Sequence, residues 1–394
     1  MLSQAADNPA MLKLMLALEG VDVVGGAGHT ATSGARPTAV ELLLNGDICA
    51  YARVNPASSI RLSEREDGAI LSDSGAEVAV RIAAQPEFAS GRSARGVILG
   101  EIAQVRGSYA IVMLGGGCGL SVPGRACAFC LGRELTEKAG ELWPIDGVVE
   151  AVRGAFGEGA AEFVQFHLGY FPGDDAGLYM LRPYLDAIHR HFDTMVAVTM
   201  HPPAAPRVID LTYAAGVDVV AYNLEAADEE SMRRHFPGRA RFFGRKRYLE
   251  ALRRAARVFP SGAVWSEILI DLAPIAAAAA AIDELTAIGV TPMLGVSALE
   301  PCHRITIAQA APLFARLHNA ATAAGLSATW ARDISAAITP LEARYFVPGA
   351  PQLPVFLHQL TRNRLGALTT RSLARLRRRL RVKRVRASFD ASHL

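Results

Sequence analysis

The chain has 394 residues, about half of them apolar (51%), 20% charged, and a modest formal net charge of +3. That length suits one large domain with a sizeable core plus a smaller one. No uninterrupted apolar run approaches the roughly 20 residues that a membrane-spanning helix needs; the longest candidate, from Ile268 to Val290, is broken by Asp271, Pro274, Asp283 and Glu284 and reads as strand, turn and Ala-rich helix. There are five cysteines, an odd number, and the first residues do not resemble a signal peptide. Both points argue against a disulfide framework and lead us to expect a soluble, cytoplasmic protein in a reducing compartment.

In chain order, residues 1–105 read as a small β-rich accessory domain. The short apolar segments Ala39–Leu44, Ser59–Leu62 and Glu77–Ile82 alternate with the turn signals Asn45-Gly46 and Asp67-Gly68. The glycine cluster in Val24-Gly25-Gly26-Ala27-Gly28 lacks the G-x-G-x-x-G spacing and is read as a turn. From 106 to 340 apolar strands alternate with helical stretches. Tyr109–Leu114 is a buried strand running into Gly115-Gly116-Gly117. Helices are expected over about 145–156 and 178–192. Further strands are expected at Phe163–His167, Met195–Thr199, Val217–Tyr222, Val264–Ile270 and Val290–Leu294. Six such units imply a parallel α/β sheet. Residues 341–394 form a C-terminal extension with no acidic residue from Ala343 to Phe389 and a crowd of arginines from Arg371 to Arg386. This basic segment is either a solvated helix, with Leu373, Leu376 and Leu380 on its inner side, or a contact for an acidic partner, anionic lipid or nucleic acid.

The chemistry concentrates in the run Gly117-Cys118-Gly119-Leu120-Ser121-Val122-Pro123-Gly124-Arg125-Ala126-Cys127-Ala128-Phe129-Cys130. Thiolates are soft ligands for iron–sulfur clusters or zinc, and a three-cysteine set leaves one coordination position open. Structural zinc wants a fourth protein ligand, and no second Cys-x-x-Cys pair exists. Cys49 and Cys302 are remote in sequence and read as small buried hydrophobes.

The Cys127-Ala128-Phe129-Cys130 tail resembles the cluster loop of radical S-adenosylmethionine (SAM) enzymes. The usual loop of that family has three residues between its first two cysteines; here there are eight. The resemblance implies a partial (β/α)6 TIM-like barrel with the cysteine loop at its C-terminal mouth, the position where α/β barrels keep their chemistry. It further implies that Cys118, Cys127 and Cys130 bind a 4Fe-4S cluster whose fourth iron is chelated by SAM. An electron from a flavodoxin- or ferredoxin-like donor would then cleave the sulfonium and yield a 5′-deoxyadenosyl radical acting on a small-molecule substrate.

By the same resemblance, Tyr222-Asn223-Leu224-Glu225 matches the Asn-Leu-Glu segment that biotin- and lipoyl-synthase-like members place against SAM, so Asn223 and Glu225 would bond its ribose and methionyl portions. Independently, Glu225 could simply favour the next helix N-terminus. Gly169, in the stretch from Phe166 to Asp175, stands where the family often has a Gly-Gly-Glu run; Asp174 or Asp175 would supply the acid. Ser266 and Glu267 interrupt the fifth strand, and one of them should face the lumen. His167 reads as a core histidine and His201 as a residue of the mouth, while Arg245-Lys246-Arg247-Tyr248 reads as solvated surface or, by the resemblance, as a contact for the cosubstrate carboxylate. Ser297, Glu300, Cys302 and His303 are substrate-pocket candidates by position. The glycine cluster, Pro86-Glu87-Phe88 and the long cysteine spacer are together similar to a radical SAM group encoded beside nitrilases. Three alternatives remain at this point: a zinc-stabilised nucleic-acid-binding protein using the basic tail, a barrel enzyme without a cluster whose cysteines are structural, and a variant SAM cleavage that transfers an aminocarboxypropyl group.

Overall fold

A computed structural model describes residues 2–24, 39–45, 48–65, 68–128, 130, 141–297, 305–327, 331 and 333–350. The Gly25–Gly28 cluster, Glu300, Cys302, His303 and the basic segment from 351 onward lie outside the described residues.

The N-terminal part builds a six-stranded sheet from β1 (Asp22–Val24), β2 (Ala39–Leu44), β3 (Ile48–Arg53), β4 (Arg61–Arg65), β5 (Gly68–Asp73) and β6 (Ala76–Ile82), in the order β1-β4-β5-β6-β2-β3. Strand β2 shows why these segments pair: Val40, Leu42 and Leu44 are buried while the residues between them are less so, the period-two pattern of a half-buried strand. Strands β2 and β3 pair antiparallel, as do β4 and β5, while Gly46 and Asp67 of the two turn signals lie outside the described residues. The sequence reading found three of these strands. It also passed over the helix Pro9–Glu19, which Asn8 caps by accepting the Met11 N–H at 2.9 Å and which has Pro9 in its first turn.

The second sheet has eight strands: β7 (Ala103–Arg106), β8 (Tyr109–Met113), β9 (Phe163–His167), β10 (Val196–Thr199), β11 (Val219–Ala221), β12 (Val264–Leu269), β13 (Thr291–Gly295) and β14 (Ala337–Ile338). Strands β8 to β13 are parallel neighbours in chain order, and β7 and β14 pair antiparallel on the two edges. The six parallel strands are those expected; the two short edge strands are additions. Runs such as Val196–Val198 and Val219–Ala221 are wholly buried, as a helix-covered parallel sheet requires. The helix Ile145–Gly157 supplies such a cover, with Val148, Ala151, Val152 and Ala155 buried at helical spacing. Among the described residues β7 and β14 do not pair with each other, so the sheet is open and forms a partial barrel.

The two sheets meet through buried polar contacts. Lys13 Nζ pairs with Glu342 Oε1 at 2.9 Å and donates to the Ile334 carbonyl at 2.5 Å. Asn8 donates to the Tyr345 carbonyl, Gly107 N–H donates to Glu41, and Tyr51 N–H donates to the Ser335 carbonyl. Buried charges need such partners to be tolerated at all.

Candidate functional site

The site lies beyond the C-terminal ends of the parallel strands. Past β8 the chain turns through Gly115, Gly116 and Gly117, all with positive φ (86°, 74° and 74°), and at Gly115 a Cβ would sit 2.5 Å from the Glu141 carbonyl. Cys118 follows, its Sγ accepting the Tyr170 N–H at 3.2 Å, while Gly119 N–H donates to the Tyr170 carbonyl at 2.8 Å. Gly169 is the close-approach point of these two strand ends: a Cβ there would lie 2.6 Å from the Gly117 oxygen and 2.9 Å from the Cys118 Cβ.

The eight-residue spacer is spent on a bridge. Ser121 N–H returns to the Cys118 carbonyl, and the Arg125 and Ala126 N–H groups return to Val122, making a compact turn with Leu120 buried beneath it. The far side is then tied to the region after β11: Gly238 N–H donates to the Arg125 carbonyl at 3.1 Å and Ala128 N–H donates to the His235 carbonyl at 2.8 Å. Cys127 thereby becomes half-buried, and Cys118, Cys130, Glu225 and Arg239 all lie within its electrostatic reach. Burial pushes its thiol up to about 12, with the Arg239 charge pulling the other way. None of Cys49, Cys118, Cys127 and Cys130 is disulfide-bonded, and Cys49 is buried in β3, away from the loop. Among the described residues no three His, Cys, Asp or Glu side chains converge on a point as the ligands of a single ion do; the three thiols share a neighbourhood.

Opposite the cysteines stands the turn Asn223-Leu224-Glu225. Glu225 has φ 58°, a left-handed conformation that costs a non-glycine residue about 1–3 kcal/mol. The turn is over-determined by its neighbours. Glu225 N–H donates to the Glu267 carbonyl (2.7 Å), Leu269 N–H donates to the Glu225 carbonyl (2.9 Å), Leu224 N–H donates to Ser266 Oγ (3.0 Å), and Glu267 N–H donates to Asn223 Oδ1 (3.2 Å). Ser266, fully buried, props the turn by accepting the Leu224 N–H, and Glu267, next along the strand, is the less buried of the pair.

Arg239, in the helix Pro237–Phe242, closes the turn. Its Nη1 pairs with Glu225 Oε2 at 2.5 Å, Nη2 donates to the Asn223 and Leu224 carbonyls, and Nε donates to Tyr248 Oη at 2.9 Å. Tyr248 Oη also bonds His201 Nδ1 at 2.8 Å, and His201 stacks on Phe243 with ring centroids 5.1 Å apart. Burial and the Arg239 charge hold His201 down near 3, so it is neutral. His201 thus follows β10 and meets Tyr170, the residue that bonds Cys118, edge to face at 6.0 Å between ring centroids. No spacing in the sequence singled out Arg239, which sits in an arginine-rich stretch free of acids from Ser231 to Leu249.

Glu267 has no side-chain hydrogen bond or ion pair among the described residues, and its Oε1 occupies the space that a Cβ on Gly295 would enter at 2.4 Å. Burial, and then the Glu225 charge, push its carboxyl up to about 8. Gln165 donates to Thr199 Oγ1 at 3.1 Å, and His167, held near 4 by burial, leaves Nε2 without a hydrogen bond among the described residues. Ser297 is held by both Asp271 oxygens (2.9 and 2.6 Å). In the basic stretch, Arg245 pairs with Glu284, Arg247 donates to the Pro202 carbonyl, and Lys246 is exposed.

The Glu267 shift has a testable sign. The unfolded chain gives up this proton near 4.5 and the folded protein near 8, so between these values the unfolded state holds fewer protons and stability falls as pH rises. Thermal unfolding followed across that window is expected to show Glu267→Gln gaining steadily on the wild type from about pH 5 to pH 8 and no further above it.

No family model and no curated protein matches this chain. Solved structures similar to it include HydG, a maturase of the FeFe-hydrogenase (18% identity, TM-score 0.39), covering 57% of this chain and 52% of that one. The HydG of Carboxydothermus hydrogenoformans is similar at 17% identity and TM-score 0.39, over 54% of this chain and 50% of that one. The chain thus spans about half the length of these two maturases. A radical SAM methyltransferase from Sphaerobacter thermophilus is similar at 14% identity and TM-score 0.41, over 70% of this chain and 77% of that one.

Proposed function

We propose that this chain is a radical SAM enzyme acting on a small-molecule substrate, in specialised metabolism. One observation carries the reading: the Cys127 thiol shares its surroundings with Cys118 and Cys130 on one side and with the Arg239–Glu225 pair of the β11 turn on the other. The donor set suits the group, since three soft thiols on one loop match iron–sulfur ligation and leave one position to a non-protein ligand. Cys118, Cys127 and Cys130 would hold the 4Fe-4S cluster, with SAM as the second cofactor. Once bound, the pair supplies reductive cleavage of a SAM carbon–sulfur bond, the hard chemistry that a cofactor brings to a protein.

The chain's own residues bind and orient. Arg239 engages Oε2 of Glu225 and leaves Oε1 to accept from a ribose hydroxyl or an ammonium group. Asn223, whose Oδ1 is bonded to the Glu267 N–H, keeps its amide donors for the ligand. Bare of a Cβ, Gly169 lets its own segment pass close beside Gly117 and Cys118, which sets the cysteine loop against the residues that follow β9 near the cofactor. Glu267, whose carboxyl has no partner among the described residues, faces substrate or cosubstrate. Tyr170, His201 and Phe243 form an aromatic wall against water. A flavodoxin- or ferredoxin-like protein would donate the electron, and the basic C-terminal segment is a place for an acidic partner.

Anaerobic purification and reconstitution with iron and sulfide, followed by SAM and dithionite, tests this. The expected result is about four irons per chain and release of 5′-deoxyadenosine. Release of 5′-methylthioadenosine in its place would reassign the reaction to aminocarboxypropyl transfer, and zinc without iron would overturn the reading.

A further inference from the structure

We propose that Arg239 is a positioning residue that clamps the strained Asn223–Glu225 turn and holds its own charge against Cys127, so that one side chain sets both SAM affinity and the reduction potential of the metal group. The inference rests on the radical SAM reading and goes beyond it, since nothing in the cysteine motif or the Asn-Leu-Glu segment requires an arginine here.

Three features support it. The first is the fit of the fork. Arg239 is 4% exposed, and its guanidinium reaches four acceptors at once: Tyr248 Oη, Glu225 Oε2 and the carbonyls of Asn223 and Leu224. A planar guanidinium with five fixed donors can do this; a lysine, a point charge on a flexible stem, cannot. The second is the strain. Glu225 holds φ 58°, and such a conformation persists only where surrounding bonds over-determine it; Arg239 bonds all three residues of the turn.

The third is the tie to the cysteine loop. The loop is bonded by backbone to two residues just ahead of Arg239, with Ala128 N–H on the His235 carbonyl and Gly238 N–H on the Arg125 carbonyl. The cation is therefore held beside Cys127 by the chain itself and not by the ligand. Its ring neighbours, Phe236 at 4.8 Å and Tyr248 at 5.0 Å, keep water away, and in such surroundings a charge acts more strongly than in bulk solvent. A fixed positive charge stabilises a thiolate-bound group more when that group has gained an electron, which raises its potential.

The test compares the reconstituted full chain with Arg239→Met and Arg239→Lys by iron content, melting temperature, SAM dissociation constant from equilibrium dialysis, and cluster potential from a redox titration read by electron paramagnetic resonance. For Arg239→Met, iron is retained, the reduced-to-oxidised ratio at fixed potential falls about tenfold, equivalent to about 59 mV for a one-electron couple, and SAM binds at least about tenfold more weakly. For Arg239→Lys, the charge stays and the fork is lost, so the potential remains near wild type while SAM binding weakens as in the methionine variant. A merely structural role would not separate the two readouts. If Arg239→Met fails to fold, Arg239→Lys and Tyr248→Phe decide: unchanged SAM affinity in both overturns the proposal. Wild-type potential and affinity in Arg239→Met, or a potential in Arg239→Lys that falls as far as in the methionine variant, overturns it while leaving the radical SAM reading intact. A wild-type chain that takes up no iron sinks both.

Discussion

Replacing Cys127 by alanine is expected to bring iron uptake from about four per chain to background, with loss of the brown chromophore and of SAM cleavage. Cys127 is the middle member of the trio in sequence, and Cys118 and Cys130 both lie within its electrostatic reach, as do Arg239 and Glu225. Losing it leaves the loop with two thiols, the half-buried Cys118 and the exposed Cys130. The fold should survive, because the backbone bonds of Arg125 to Gly238 and of Ala128 to His235 do not involve the thiol. Cys49→Ala is the control. That cysteine is buried in β3, so its removal should touch stability and leave the iron count unchanged. Iron analysis and circular dichroism of the two variants separate loss of ligand from loss of fold, and iron retained at wild-type level in the Cys127 variant would remove this thiol from the ligand set.

Lys13→Met is expected to give the largest loss of stability of any single substitution considered, about 3–5 kcal/mol, because it strands the Glu342 carboxylate in the interior. The side chains of Lys13 and Glu342 are 3% and 8% exposed and 2.9 Å apart, and the Glu342 carboxylate also accepts the Thr339 N–H. Burial raises the Glu342 carboxyl, and the Lys13 charge opposes this. Removing both charges should hurt less than removing one: Lys13→Met/Glu342→Leu is expected to recover much of the loss, since a well-packed apolar pair can replace a buried ion pair. Urea denaturation of the two single variants and the double variant reads the coupling directly. Additive losses would show that the two charges do not interact across the join between the sheets.

Much of this was legible before any coordinates. The six parallel strands could be read because each is a short, nearly continuous apolar run between turn signals, the pattern of a strand covered on both faces. The edge strands Ala103–Arg106 and Ala337–Ile338 could not, being too short to show a period, and the helix Pro9–Glu19 went unread although its Asn8-Pro9 start is an ordinary capping signal. Serine and glutamate in β12 stood out as polar residues in a buried run, but the part each plays depends on the neighbouring strand: Ser266 takes the Leu224 N–H, and the Glu267 carboxyl has no partner among the described residues.

The amino-acid order alone determined the soft-ligand chemistry of Cys118, Cys127 and Cys130, the α/β alternation that puts their loop after a parallel strand, and the Asn223–Glu225 segment after another. These properties follow from residue type and local spacing. Tertiary structure decided what the eight-residue spacer is for, since its ends bond residues remote in sequence, Gly119 to Tyr170 and Arg125 to Gly238. It also decided that Arg239 belongs to the site. A buried arginine is chosen by the acceptors that surround it, and here those acceptors come from the β11 turn and the helix Gly244–Val258, which only the packed fold brings together.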